Sequence, residues 1–478
     1  MHSDDIAELN AKRICHECIG EAYLSNVVAT SGISGKCDYC EQTDATWTLE
    51  QLAERIEDVF NDHFTATPNQ PDFFQEHMMA DRESDYWWER EGLPTVEAFQ
   101  DAADIDVEIA ENLQTILDDK YADPDSFDSD GETEFSAGCH YEEKGATDEA
   151  WQEDWRNFER AIQNEARFFS RNAAAHLREV FGNIDSLKTF ENLPLVVDAG
   201  PMFPLDHLYR ARVFQAEAPL LNALCKPDQE LGPPPTRIAM AGRMNALGIS
   251  VFYGATSIEA AIAEVRPPVG SRVAVAKFNL IRPLRLLDLT KLEHVHDTGS
   301  IFDLTFKGKL ERVAFLRTIG KRMTRAVMPD DQALDYLATQ AIADFLATEN
   351  EPALDGIIFQ SAQAEEGRNV VLFHKASKVE KLKITEGAKI SAVSGFDCEE
   401  GFEYDYTVFE QTANEAEDNL ARDHHLGGYM ANSESFGPRE NTLRVDVMTV
   451  QVHLVEWVKV KCTTFSVSRY EPTSAEEF

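Results

Sequence analysis

Four cysteines set the tightest local constraint on this chain. Cys15, Cys18, Cys37 and Cys40 are spaced C-x2-C-x18-C-x2-C, the pattern of a four-thiolate zinc site. Each C-x2-C turn aims two thiolates at one centre, and Zn²⁺ takes four soft ligands tetrahedrally. Gly20 and Gly35 fall next to the pairs, where tight turns call for positive φ. With every ligand position filled by cysteine no coordination position stays open, so a structural ion is expected, not a catalytic one. A reactive dithiol pair is the competing reading. His16, between the first two cysteines, reads as a bystander. Cys139, Cys225, Cys398 and Cys462 are scattered and read as ordinary buried thiols of a reducing compartment.

Charge narrows the partners. The chain of 478 residues carries 85 acidic against 44 basic residues, a net charge of −41, which argues against non-specific DNA or RNA binding. The excess is concentrated: from Glu41 to Arg160 there are 35 acidic and 7 basic residues, a net of −28. Such asymmetry marks separate domains. Hydrophobic residues at 43% and charged residues at 27% are ordinary globular usage, excluding wholesale disorder and fibrous classes. No apolar run approaches the roughly 18–20 residues of a membrane span. Met1 to Leu9 is acidic, with no basic or apolar leader pattern. A cytoplasmic protein without a membrane partner is expected.

Periodicity divides the chain. Thr48 to Phe64 predicts an amphipathic helix, with Thr48 and Gln51 as a capping box and Leu52, Ile56, Val59 and Phe60 on one face. Asp101 to Tyr121 reads as helix, Ala122 to Gly145 as a mobile acidic loop. Asp148 to about Phe181 reads as one long helical pattern, its stripe running through Trp151, Trp155, Phe158, Ile162, Ala166 and Phe169. The pattern shifts near Leu193. Leu193 to Val197 and Leu208 to Phe214 read as strands, and Ile238 to Val275 as strand, turn, strand, helix, strand. In the helix, Thr256 is the expected cap with Glu259 three residues on, and Ile258, Ala261, Ile262 and Val265 form the buried stripe. Arg272–Phe278 and Leu284–Leu289 are expected strands. Leu334 to Leu346 is a periodic helix, and Ile357–Phe359 pairs with Val370–Phe373 as a hairpin. Asn414 to Asn441 reads as a polar loop, and Leu443 to Tyr470 as two or three strands.

Three segments carry chemistry. The first is Leu208-Tyr209-Arg210-Ala211-Arg212. The second is Ala241-Gly242-Arg243-Met244-Asn245, followed by Phe252-Tyr253-Gly254-Ala255 and the helical Glu264. The third is Asp355-Gly356-Ile357-Ile358-Phe359-Gln360-Ser361. In this order and spacing, over roughly residues 195–390, the chain resembles the RES-domain family. The zinc cluster and the helices after it resemble the HEPN-like domain found ahead of some longer RES proteins. The expected architecture is α+β and multidomain. It comprises a zinc-ribbon-like four-cysteine module (1–47), an acidic helical HEPN-like domain (48–195), an ADP-ribosyltransferase-like α/β RES domain (196–395) and a β-rich C-terminal extension (396–478).

The resemblance implies a toxin-like enzyme that degrades NAD⁺ at the nicotinamide–ribose bond, by hydrolysis or by phosphorolysis with inorganic phosphate. Transfer of ADP-ribose to a protein is the alternative. It also implies restraint by an antitoxin or regulatory protein, and it is compatible with an oligomer. The chemistry of the residues agrees. Glycosidic cleavage develops oxocarbenium character that a carboxylate stabilises, and Glu264 lies at the edge of the buried helical face, about 110° from its centre. Arg210 and Arg243 offer guanidinium forks for a pyrophosphate, and Arg212, two residues on, is the alternative to Arg210. Tyr209 and Tyr253 offer rings for stacking on nicotinamide or adenine, or serve as core tyrosines. Ser361 offers a hydrogen bond to the ribose, and Asn245 a ligand contact or a loop tie.

The sequence departs from the family pattern at Met244 and Gln360, and by a long insertion between Glu264 and Ser361. A ribonuclease reading rests on Arg171 and His176, the loose R-x4-H pattern of HEPN nucleases. Five residues apart on a helix, however, they sit about 140° apart. A non-catalytic sensor is the third reading.

Overall fold

The structure is a computed structural model, and it describes residues 3–81, 84–122, 132–167, 170–325, 327–364, 366–399, 401–411 and 439–469. It divides into two units: Met1–Asn157 with His294–Ile319, and Phe158–Glu293 with Gly320–Phe478. The architecture is mixed helix and sheet, as the expected α+β class requires. The four expected segments group as two, and part of the long insertion, His294–Ile319, packs with the N-terminal residues.

In the first unit, strands Arg13–Cys15, Ile33–Lys36 and Thr43–Thr48 form a small antiparallel sheet under the cysteine pairs. Neither Gly20 nor Gly35 takes positive φ; that conformation falls on Glu41, just after the second pair. What Gly20 supplies is space, because a Cβ there would stand 2.0 Å from Asp104 Oδ2. Helix Leu49–His63 begins with the expected Thr48–Gln51 capping box, and Leu52, Ile56, Val59 and Phe60 are all buried. Each such side chain contributes roughly 1.5–3 kcal/mol.

The region from 50 to 195 is less purely helical than its sequence reads. Short strands Phe64–Ala66, Leu93–Pro94 and His140–Glu143 form a second small sheet, too short to show a period. The pattern from Asp148 to Phe181 is two helices, Glu149–Asn164 and Arg171–Phe181, because Ser170 caps the second by accepting from the Ala173 amide. Ala166 therefore lies outside both, and Phe169 lies outside the described residues.

The second unit is built on an eight-stranded mixed sheet. Its strands in chain order are β1 (Val196–Ala199), β2 (His207–Phe214), β3 (Phe252–Ala255), β4 (Arg272–Leu280), β5 (Leu284–Asp288), β6 (Gly356–Gln360), β7 (Arg368–Leu372) and β8 (Leu443–Leu454). Their spatial order is β8-β4-β2-β3-β7-β6-β5-β1. All neighbours are antiparallel except β5 and β6. Helix α1 (Glu217–Cys225) buries Leu220, Ala223 and Leu224 with one face of the sheet. Helix α2 (Ile258–Glu264) buries Ala260 and Ala261 with the other. Two further helices, α3 (Phe306–Thr324) and α4 (Gln332–Thr348), occupy the insertion.

Several expectations shift by a residue or a register. The cap of α2 is Ser257, whose hydroxyl accepts from the Ala260 amide, while Thr256 donates to the Arg368 carbonyl. Residues 239–251 hold turns and an isolated bridge between Gly242 and Asn245, not a strand. α3 is a helix the sequence pattern did not reveal. The tail supplies one strand, β8, and it is an edge strand of the central sheet rather than part of a separate layer. A long hairpin, Lys389–Cys398 with Gly401–Gln411, precedes it. Most of the expected loop Asn414–Asn441 lies outside the described residues, as do residues 123–131 of Ala122–Gly145. The rest of that second expected loop is described and holds the strand His140–Glu143, with Phe135, Cys139 and Tyr141 buried, so it is not a mobile loop there. No helix among the described residues is long and apolar enough to cross a membrane.

Candidate active site

The central sheet parts between β2 and β3. These strands share one paired position, Tyr209 with Ala255, while β2 pairs along its whole length with β4 on its other side and β3 pairs with β7. A cleft of about 320 Å³ is lined by both strands at this parting. Tyr209, Arg210 and Ala211 come from β2, Tyr253 to Ala255 from β3, and Ala261, Glu264 and Val265 from α2 and its end. The insertion closes another side with Thr324 at the end of α3 and Tyr336 of α4, and Gln363 and Asn369 complete it. Gly254 keeps the strands close at the parting: a Cβ there would meet Leu208 Cβ at 3.0 Å.

Three arginines line this cleft, Arg266 just past α2 and, by different routes, Arg210 and Arg243. Arg210 donates Nη1 to the Tyr253 carbonyl at 2.8 Å and lies over the Phe252 ring. Burial, reinforced by the Arg212 charge, lowers its pKa to about 10. It stays protonated near neutral pH, and an anion would relieve its desolvation. Arg243 sits on the loop before β3. Its Nη1 donates to the Met323 carbonyl at 2.9 Å and its Nη2 to the Arg325 carbonyl at 2.6 Å, and its guanidinium lies 5.0 Å from the Tyr336 ring centre. The carbonyl end of α3 is where a cation is favoured. Helix α4 fastens the same loop, with Thr339 donating to the Arg243 carbonyl and Gln340 to the Gly242 carbonyl.

Glu264 is the only carboxylate lining the cleft among the described residues. Its Oε1 accepts from the Ser361 hydroxyl at 2.7 Å and from Asn369 Nδ2 at 2.6 Å. Two donors on one oxygen fix the orientation of an otherwise exposed side chain. The Ser361 hydroxyl in turn accepts from the Gln363 and Ala364 amides. Ser361 is 6% exposed, and its hydroxyl is engaged in holding the carboxylate of Glu264.

Tyr253 presents its ring to the cleft and ties its hydroxyl to the loop. The hydroxyl donates to Asn245 Oδ1 at 2.9 Å and accepts from the Met244 amide at 3.1 Å. Burial raises its pKa to about 12. Asn245 Nδ2 donates to the carbonyls of Met240, Ala246 and Ile249, so Asn245 is a loop tie and does not line the cleft. Gly242 is required at this knot, because a Cβ would meet Asn245 Oδ1 at 2.6 Å and the Tyr253 hydroxyl at 2.7 Å.

Of the sequence-selected residues, the structure gathers Tyr209, Arg210, Arg243, Tyr253 and Glu264 in one cleft. Arg212 turns away: it binds the carbonyl and carboxylate of Glu230 and lies outside the lining. Arg171 and His176 belong to the helix Arg171–Phe181, where Arg171 is exposed and the His176 ring packs on Phe158. The sequence pattern alone misses Asn369. A polar amide opening the apolar run Val370–Leu372 of a buried strand was the available signal, since asparagine is disfavoured there.

The four cysteines of the first unit also converge. Their Sγ atoms lie within 4.8 Å of one another, with Cys15–Cys40, Cys15–Cys18 and Cys18–Cys37 at 3.4, 3.7 and 3.8 Å. Thiolates bound at about 2.3 Å to a tetrahedral ion stand about 3.8 Å apart, so the donor set fits zinc. All four are free thiols, and separations near 3.5 Å are far from a disulfide bond of about 2 Å. Burial pushes the Cys37 thiol up, but the amides of Cys40, Tyr39 and Cys15 outweigh it and bring it down to about 7. His16 points to Asp44 at 3.2 Å and stays outside the cluster. Of the scattered cysteines, Cys139 is buried as expected, whereas Cys398 and Cys462 are exposed and correct that expectation.

Comparison with known proteins places a family around the cleft. Residues 208–392 match the family model of the RES domain, a stretch that holds every cleft residue named above. RES proteins are associated with NAD-related enzymatic activity. The HEPN-like expectation for the N-terminal helices rests on the sequence alone. No curated protein and no solved structure matches the chain.

Proposed function

Taking the RES domain of residues 208–392 as premise, we propose that this chain consumes NAD⁺ in the cleft between β2 and β3, on an ADP-ribosyltransferase-like scaffold. The observation that carries the reading is one carboxylate, Glu264, held by two donors in a cleft that is also lined by three arginines, Arg210, Arg243 and Arg266. Arg210 and Arg243 hold the pyrophosphate through guanidinium forks, and the rings of Tyr209 and Tyr253 flank the bases. Arg212 has no part in this, since Glu230 occupies it. Glu264 faces the ribose that carries nicotinamide, and Ser361 is its positioning residue.

The step breaks the bond between ribose C1 and the nicotinamide nitrogen, and the electron pair leaves with nicotinamide. C1 gains oxocarbenium character, which the Glu264 carboxylate stabilises. An oxygen of water or of inorganic phosphate then bonds to C1. Water gives ADP-ribose and releases a proton; phosphate gives the ADP-ribose phosphate ester. Transfer to a protein side chain is the same step with another nucleophile. Zinc bound by Cys15, Cys18, Cys37 and Cys40 would supply a structural cross-link and no chemistry. Control by the acidic N-terminal region or by a separate antitoxin follows from the hazard of unrestrained NAD⁺ loss.

Incubating the purified chain with NAD⁺, with and without phosphate, and identifying the products tests the proposal. Nicotinamide release that disappears in Glu264→Ala supports it. No release and no NAD⁺ binding by the intact protein would refute it. RNA cleavage lost in His176→Ala would instead support the nuclease.

A further inference from the structure

Asn369 stands where the strand β7 passes the cleft, with its backbone fixed on both sides. It pairs with Ala255 of β3 and with Phe359 of β6. The residue is 4% exposed and still lines the cleft. Its amide nitrogen donates to Glu264 Oε1 at 2.6 Å. Chemistry alone fixes which end of the amide faces which way. A carboxylate only accepts, so the nitrogen must face Glu264 and the oxygen must face elsewhere. That oxygen, Oδ1, is buried and has no hydrogen-bond partner among the described residues. Buried acceptors are paired as a rule, and this one belongs to a residue lining a cleft.

We infer that Asn369 contacts substrate directly, its amide oxygen accepting a hydroxyl of the ribose next to the one that Glu264 accepts. The inference rests on the NAD⁺ reading above and extends it. With Oε1 held by Ser361 and Asn369, the second carboxylate oxygen of Glu264 is the one turned to a ligand. It and Asn369 Oδ1 are then two acceptors joined through one hydrogen bond. Two adjacent acceptors and no donor match two adjacent hydroxyls. A ribose presents that pair, whereas a phosphate presents only acceptors and is repelled. Asn369 thus couples sugar recognition to the orientation of the carboxylate that acts on the same sugar.

The test compares NAD⁺ with its two analogues lacking either the 2- or the 3-hydroxyl on the nicotinamide-bearing ribose. Nicotinamide release by the full chain is the readout, with thermal denaturation as the folding control. Asn369→Ala should lower kcat/KM on NAD⁺ by on the order of 10²-fold, about tenfold for the bond to the ribose and about tenfold for the donor to Glu264. On the analogue missing the hydroxyl that Asn369 accepts, Asn369→Ala should lose less than on NAD⁺, keeping only the part of the loss that comes from its missing donor to Glu264. Asn369→Asp keeps an acceptor at the same place and loses the donor to Glu264. It should turn over more slowly but still discriminate NAD⁺ from that analogue. If Asn369→Ala loses the same factor on all three substrates, the residue only positions Glu264 and the inference is wrong. If wild type is active and Asn369→Ala is unchanged, the inference fails alone. If wild type neither binds nor cleaves NAD⁺, the NAD⁺ reading fails and takes the inference with it.

Discussion

Single side chains in this cleft have separable duties. Removing the carboxylate in Glu264→Ala should lower the rate of nicotinamide release by on the order of 10²-fold or more, with a smaller effect on KM, because the charge it stabilises exists mainly in the transition state. Ser361→Ala removes one of two donors to Oε1 and leaves the other. Its expected loss is about tenfold in kcat, the worth of one charge-assisted hydrogen bond; a loss as deep as that of Glu264→Ala would mean Ser361 touches substrate itself. Tyr253→Phe leaves the Met244 amide without its acceptor and should cost about 1–3 kcal/mol of stability, seen as a lower Tm of the whole chain. Arg210, Arg243, Tyr253 and Glu264 were legible in the sequence because each sits in a short run whose neighbours are small or apolar. Ser361 was legible as a residue but not as a role, since nothing local says that its hydroxyl points at a helix 97 positions away. Asn369 was hidden by its strand: read as core from residue 370 on, the hairpin partner began two positions too late.

Elements were legible in proportion to their length and their caps. Helix Leu49–His63 followed from its box and stripe, whereas α3 mixes basic and apolar residues with no clean face and escaped. The cap of α2 was misplaced by one because Thr256 and Ser257 both fit the pattern; the hydroxyl that reaches the Ala260 amide is that of Ser257. Ser257→Ala should therefore lose about 1 kcal/mol, measurable by chemical denaturation, and Thr256→Ala less. Ahead of α3, Asp303 accepts from the amide and hydroxyl of Thr305 and from Lys309, which together lower its pKa from 3.8 to about 2. A carboxylate lowered in the folded state contributes stability above its ordinary range and loses it as pH falls. Asp303→Asn should thus flatten the acid dependence of unfolding between about pH 4 and pH 2. The cysteine pairs predict one zinc per chain in native mass spectrometry. Its removal by a chelator should speed hydrogen exchange across the strands Arg13–Cys15 and Thr43–Thr48.

At the scale of the molecule, the chain was legible as α+β, and the packing of its distant stretches was not. Contact between distant stretches has no local signature. Residues 294–319 lie inside the RES match yet pack with the N-terminal residues. Phe302 is fully buried in that core, Arg55 donates to its carbonyl, and Lys307 pairs with Asp62. Deleting residues 1–157 should therefore strip the cover from Phe302 and raise binding of a hydrophobic dye, unless 294–319 is replaced by a short linker. With that linker, unchanged NAD⁺ turnover would count against control from within the chain. The central sheet has its own consequence. Three strands, β8, β4 and β2, and five strands, β3, β7, β6, β5 and β1, are stitched together at a single rung, Tyr209 with Ala255. At this seam the sheet offers one rung of backbone pairing, and the Arg210 bond to the Tyr253 carbonyl is a side-chain tie beside it, so a guest that draws on that guanidinium meets the same two strands that the rung joins.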